Sequence, residues 1–143
     1  MATRSTIAIE HADGTVSQVY AHFDGYLEGV GKTLIDHFNT REAVEKLIAG
    51  GAISSLGTYV ADENRSFYRS SDDDDYTIYY SYRGEDIDIE KFESVEEYEN
   101  EHVYQEFEYI FTQDDVWSVF LNDEWHDLEY ELKGEQDAEN AED

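Results

Sequence analysis

Between Asp72 and Glu131, carboxylates alternate with tyrosine, phenylalanine, isoleucine and tryptophan, which constrains the fold more than anything else in the chain. A segment this acidic repels itself, whereas its aromatic side chains gain most from burial. It opens on four consecutive aspartates, Asp72 to Asp75, and continues Tyr76-Thr77-Ile78-Tyr79-Tyr80-Ser81-Tyr82. With 15% aromatic and 40% hydrophobic residues, the chain can bury a core despite a net charge of −27. A solvating polyelectrolyte lacks that apolar content. The expectation is therefore a folded, rigid and strongly negative surface.

The charge is unevenly distributed. Residues 1–60 hold four basic residues against seven acids, a balance of −3, and residues 61–143 hold five against 29, a balance of −24. Adaptation to high salt would spread acid over every exposed element, so the concentration points to one face with a task. The chain has no cysteine, which leaves neither disulfides nor thiolate metal sites. The first ten residues lack the apolar centre of a signal peptide, and no apolar run approaches the roughly 20 residues of a membrane helix. These features predict a soluble protein of a reducing cytoplasm.

Taken in order, Thr6 to Ile9 and Val16 to His22 read as strands joined at Ala12-Asp13-Gly14-Thr15, since Asp-Gly suits a tight hairpin. Helices are expected over Val30 to Phe38, burying Leu34, Ile35 and Phe38, and over Arg41 to Ala49, capped by Thr40 and ended by Gly50-Gly51. Short strands are expected over Ile53 to Val60 and Tyr76 to Arg83. Asp86-Ile87-Asp88-Ile89-Glu90 alternates strictly, as an extended segment with an acidic face would. Ser94 and Glu97 resemble a capping box for a helix from Val95 to His102, with Val95, Tyr98 and His102 inward. A meander over Tyr104 to Phe111, Val116 to Leu121 and Asp127 to Leu132 follows, and residues 134–143 read as a loose acidic tail. The sum is one compact α+β domain over residues 1–133, an antiparallel sheet with two or three short helices packed against it.

Several motifs invite chemistry without meeting its requirements. Gly29-Val30-Gly31-Lys32-Thr33 suggests a phosphate loop, but Tyr26 stands where that motif needs its first glycine, and Glu28 would oppose a polyanion. Glycines easing a loop into a helix explain it better. His22, Asp24, His37 and His11 lack the spacing of a zinc motif. The aspartate run lacks the alternating ligands and central glycine of a calcium loop. Carboxylate pairs are too abundant for any one to mark a catalytic centre. The chain therefore reads as a non-enzyme with no metal and no cofactor.

The acidic rows offer a different role. Residues i and i+2 of a strand point the same way about 6.7 Å apart. Successive phosphates of a DNA strand rise about 3.4 Å and wind around the axis, so their direct separation is roughly 6–7 Å. Carboxylates in such rows could occupy a basic groove built for phosphates. The candidate partner-binding residues are Asp72, Asp73, Asp74, Asp75, Glu85, Asp86, Asp88, Glu90, Glu93, Glu96, Glu97, Glu99, Glu106, Glu108, Asp127, Glu129 and Glu131. The expected partner is a basic nucleic-acid-binding protein, with no direct binding of nucleic acid or membrane; a dimer is compatible with the sequence. The alternative is a structural or adaptor protein whose acid only confers solubility. A third possibility is an enzyme using the neighbourhood of His22 and Asp24.

Thr3-Arg4-Ser5-Thr6-Ile7, Asp13-Gly14-Thr15-Val16, Val19-Tyr20, His22-Phe23-Asp24-Gly25-Tyr26 and Ile53-Ser54-Ser55-Leu56-Gly57 form a pattern that resembles a family of small bacteriophage proteins. Arg83-Gly84-Glu85 and the strand around Trp117 extend the resemblance. Phe23 departs from it, standing where tryptophan is expected, as does the acid loading after residue 71. The family brings no established activity, so no functional residue carries over. The resemblance implies a phage origin and an infected bacterial host. With the charge, it suggests by analogy a DNA-mimicking inhibitor of restriction, CRISPR or repair nucleases.

Overall fold

The computed structural model describes residues 3–62, 65–68, 75–102 and 104–141. Asp72, Asp73 and Asp74 lie outside these residues. The hairpin is formed by β1 (Ser5–Glu10) and β2 (Val16–Ala21), with Ile7 opposite Val19. Its turn is held by Asp13, whose carboxylate accepts from the Thr15 amide at 3.0 Å and the Thr15 hydroxyl at 2.6 Å.

This hairpin lies near the middle of an eight-stranded sheet. Beyond β2 on one side are β3 (Ile53–Ser55) and β4 (Ile78–Tyr79); beyond β1 are β6 (Phe107–Phe111), β7 (Trp117–Leu121) and β8 (Glu124–Asp127). The short β5 (Glu90–Phe92) takes the other half of the β2 edge, pairing Val16 to Gln18. Contrary to the expected antiparallel sheet, β1 runs parallel to β6 and β2 parallel to β3. Alternation identifies a strand's buried face but not its neighbour's direction. The long connections between these strands permit the crossovers that parallel pairing requires.

One face carries Ile7, Ile9, Val19, Tyr109, Phe111 and Val119 into the main core. There they meet Leu34 of α1 (Lys32–His37), Val44, Leu47 and Ile48 of α2 (Arg41–Ala49), and Leu128 and Leu132 of α4 (Leu128–Ala141). The opposite face packs Ala8, Val16 and Ile110 against Phe92 and against Tyr98 of α3 (Val95–Glu101). The α+β class and the single compact domain are thus as the sequence suggests. Thr40 caps α2 by accepting the Ala43 amide at 3.2 Å, and Ser94 caps α3 by accepting the Glu97 amide at 3.0 Å. Glu97 reaches back to the Glu93 amide at 2.7 Å, completing the box one residue earlier than its usual form. A Cβ on Gly50 would lie 2.3 Å from ring atoms of buried Tyr79, so glycine lets that ring pack against the end of α2.

Gly29-Val30-Gly31-Lys32-Thr33 enters a helix, as the simpler reading holds. Leu27–Gly31 forms one π-helical turn leading into α1, and Lys32 pairs with Asp36 at 2.8 Å. A Cβ on Gly29 would meet the Asp24 carbonyl oxygen at 2.2 Å, which gives this glycine a packing role.

Four segments depart from the expected elements. Ile53 to Val60 forms only β3 and an isolated bridge from Tyr59 to Tyr76. Tyr76 to Arg83 keeps two strand residues before a 3-10 turn over Tyr80–Arg83. Residues 85–89 join no ladder, and Ile87 is 59% exposed rather than buried behind an acidic row. Asp127 to Leu132 is not a third meander strand: Asp127 accepts the Tyr130 amide at 2.9 Å and caps α4. Leu128, Tyr130 and Leu132 would share one face of a strand, but on the helix only Leu128 and Leu132 turn inward. Accordingly Leu128 and Leu132 are buried and Tyr130 is 73% exposed. The same helix continues through Ala141, across most of the segment expected to be a loose tail.

Candidate acidic interface

The site is built around β6. Parallel pairing sets Glu108 beside Thr6 of β1, and antiparallel pairing sets it beside Phe120 of β7. That face of the sheet is roofed by α3, so Glu108 is 1% exposed. Its carboxylate accepts from His102 Nε2 at 2.8 Å, from the Gln105 amide at 3.1 Å and from the Thr6 hydroxyl. His102 directs its other ring nitrogen, Nδ1, at the Tyr98 carbonyl. Both imidazole nitrogens thus face acceptors, an arrangement that suits the imidazolium. Burial works against the charge on His102, but its hydrogen bonds to Glu108 and the Tyr98 carbonyl, with the charges of Glu108 and Glu90, raise its pKa above the usual value. Glu108 is therefore a fold residue, withdrawn from the partner-facing row to which the i, i+2 spacing assigned it. The inward stripe of α3 held the clue, since a buried His102 needs an acceptor.

Two cavities open beside this pair. The smaller, about 70 Å³, is lined by Thr6, Gln18, Tyr20, Asp88, Glu90 and Gln105. The larger, about 350 Å³, is lined by Tyr104, Gln105, Glu106, Glu108, Phe120 and Asp123. Gln105 lines both, so the two acid-lined hollows adjoin at that residue, and together they make up the trench. Asp88, Glu90, Glu106 and Asp123 are exposed along it, and among the described residues no lysine or arginine lines either cavity. Asp123 is absent from the sequence-derived set because it reads only as a turn residue. It adopts φ +66° between β7 and β8, which places its carboxylate at the trench.

The other candidate carboxylates are more dispersed. Asp75, Asp86, Glu93 and Glu96 are exposed. Glu85 pairs with Arg83, Glu97 is committed to the α3 cap, and Glu99 accepts the Trp125 indole N–H at 3.0 Å. Asp127 caps α4, Glu129 lies 3.7 Å from Lys133, and Glu131 lies 3.4 Å from His126. Asp127 and Glu129 line a separate cleft of about 280 Å³ with Ile35, Asn39 and Trp117. The even carboxylate rows expected at 86–90, 106–108 and 127–131 are consequently not sheet rows: the first lies mostly in a loop, the second is half buried and the third turns helical.

Two histidines of the N-terminal half make local contacts. His22 Nδ1 lies 2.7 Å from the Tyr20 hydroxyl, and His11 Nε2 lies 2.9 Å from Ser17 Oγ. Among the described residues, no group of three or more His, Cys, Asp or Glu side chains is placed to hold a metal ion. No helix among them is long and apolar enough to cross a membrane. Compared with known proteins, the chain matches no family model, no curated protein and no solved structure.

Proposed function

We propose that this protein is a non-enzymatic inhibitor that meets the basic, nucleic-acid-binding surface of a host protein with its trench. The observation that carries the reading is the run of four exposed carboxylates, Asp88, Glu90, Glu106 and Asp123, along two adjoining cavities lined by no lysine or arginine. Lysines and arginines on a partner would exchange phosphate contacts for charge-assisted hydrogen bonds to these groups. Burial of the hydrogen-bonded His102–Glu108 pair beneath the trench favours a fixed presentation, which lowers the ordering cost of binding. Restriction enzymes, CRISPR effectors and repair nucleases have surfaces of the required chemistry. On this reading, which takes up the sequence resemblance to phage proteins, the protein would act in the cytoplasm of an infected bacterium. Because the carboxylate rows are irregular, the reading rests on concentrated charge and not on an even phosphate-like spacing.

The test is capture of partners from a bacterial lysate at low salt, elution with DNA, and titration of the captured partner with purified protein. Binding should weaken steeply between about 0.05 and 0.5 M salt and compete with nucleic acid. The double variant Asp88→Asn with Glu90→Gln should bind less tightly and with a shallower salt dependence. Simultaneous binding of nucleic acid and this protein to one target would refute the proposal. The structural or adaptor reading draws on Glu85, Glu97, Glu99 and Glu108, whose carboxylates serve contacts within the fold. On that reading the double variant keeps full partner affinity.

A further inference from the structure

We infer that the larger cavity is an arginine-receiving pocket, in which Tyr104 and Phe120 hold a partner's guanidinium against the carboxylates of Glu106 and Asp123. The inference rests on the proposed role of the acidic face and names the side chain that this part of it selects. Acidity alone would accept any cation; the aromatic walls are what discriminate. Tyr104 is 44% exposed, and its ring centroid lies 5.2 Å from that of Phe120. Neither ring is free to wander. The Tyr104 hydroxyl donates to the Glu99 carbonyl at 2.9 Å, and its ring is tilted against that of His102 with centroids 4.0 Å apart. Phe120 is braced edge-on against Trp125 at 5.2 Å.

The charge balance also favours a cation. His102 beneath Tyr104 is matched by Glu108 at 2.8 Å; Glu106 and Asp123 supply the pocket's exposed carboxylates, and the Arg4 side chain, bonded to Tyr20, is the nearby cation they must outweigh. The Glu106 carboxylate accepts from the Arg4 backbone amide at 3.5 Å, one donor for two oxygens. A guanidinium is planar and weakly hydrated, stacks on aromatic rings and offers five donors in a fixed fork. A lysine ammonium is a compact, strongly hydrated point charge and gains less from the ring walls. At about 350 Å³ the cavity admits a guanidinium with part of its stem, whereas the neighbouring 70 Å³ cavity is far smaller.

The experiment uses the full chain and two probes, a hexa-arginine and a hexa-lysine peptide, each titrated at several salt concentrations. Aromatic and amide NMR spectra report binding, and the amide spectrum verifies the fold of each variant. Hexa-arginine should bind at least about 5-fold more tightly than hexa-lysine and move the Tyr104 and Phe120 ring signals. Tyr104→Leu keeps apolar bulk but removes the π face, and should bring the two affinities together without altering that for hexa-lysine. If Tyr104→Leu fails to fold, Phe120→Leu makes the same test. Glu45→Gln, on α2 and outside the acidic face, should preserve the preference. Equal affinities in the wild-type chain, or an arginine preference that survives loss of the ring, would overturn the pocket. In either case, salt-dependent binding of both peptides would leave the acidic-face reading standing, whereas failure of both peptides to bind would refute the two together.

Discussion

Replacing Glu108 by glutamine should expose how far the second face of the sheet depends on one buried ion pair. The substitution preserves shape but removes the charge facing His102. Both residues are nearly inaccessible, Glu108 at 1% and His102 at 5%, so water does little to screen the change. Removing one partner of such a pair costs about 3–5 kcal/mol, because the other charge is left uncompensated or must discharge. Against a total stability of about 5–15 kcal/mol for a domain, that loss is large. The sign with pH follows from the raised pKa of His102. In the folded chain the imidazole holds its proton to higher pH than when unfolded. Its contribution is therefore fully present below the unfolded value of about 6.5 and is lost as pH rises through the higher folded value. Urea unfolding at a series of pH values should show wild-type stability falling over that window, with a shallower fall in Glu108→Gln. The stability gap between the two proteins should accordingly be wider near pH 6 than above the folded value of His102. NMR titration of the His102 ring should show a lower pKa in the variant. The reasoning is refuted if the variant costs less than about 1 kcal/mol at pH 6, or if the two pH slopes coincide.

Other perturbations probe the packing around this face and the helices opposite. Gly50→Ala drives a methyl group to within 2.3 Å of the Tyr79 ring, and thermal melting should register a loss of about 1–3 kcal/mol. Leu132→Ala should cost about 2–5 kcal/mol in chemical denaturation, whereas Tyr130→Ala should change stability by no more than about 0.5 kcal/mol. Equal costs would contradict the helical register of α4. Ser94→Ala removes the α3 cap and should cost about 1 kcal/mol, with amide exchange accelerating in Glu96 to Tyr98 ahead of the sheet.

Local chemistry made much of the chain legible before its packing was known. Asp13-Gly14 located the first hairpin, Thr40 and Ser94 located two helix starts, and Tyr98 with His102 identified the buried side of α3. Each of these signals acts within one or two turns of chain. The failures arose where two periods fitted the same residues. Leu128, Tyr130 and Leu132 satisfy a strand by alternation and a helix by i, i+4, and the Asp127 cap settles the matter only in three dimensions. Asp86 to Glu90 alternates strongly, but alternation cannot form a strand where the edge of β2 pairs only from Glu90 onward. At the interface, spacing united Glu106 and Glu108, and the cover supplied by α3 separated them. Asp123 became visible only through the cavity, because it joins Tyr104 and Phe120 in the lining from a turn.

The parallel pairing of β1 with β6 has a consequence for how the molecule comes into being. Thr6 and Glu108 are 102 positions apart, yet they are neighbours at the centre of the sheet. During synthesis, the amino-terminal hairpin leaves the ribosome with one long edge unpaired until most of the chain has followed. Closing so wide a loop is entropically costly and slows folding. The first hairpin and α2 can assemble from nearby segments, but the centre of the sheet is completed late. Arrival of β6 also joins Glu108 to His102 and brings Glu106 beside the Arg4 backbone amide. The acidic face thus takes shape in the same event that seals the sheet, so a nascent chain presents no finished interface until its carboxy-terminal third has folded.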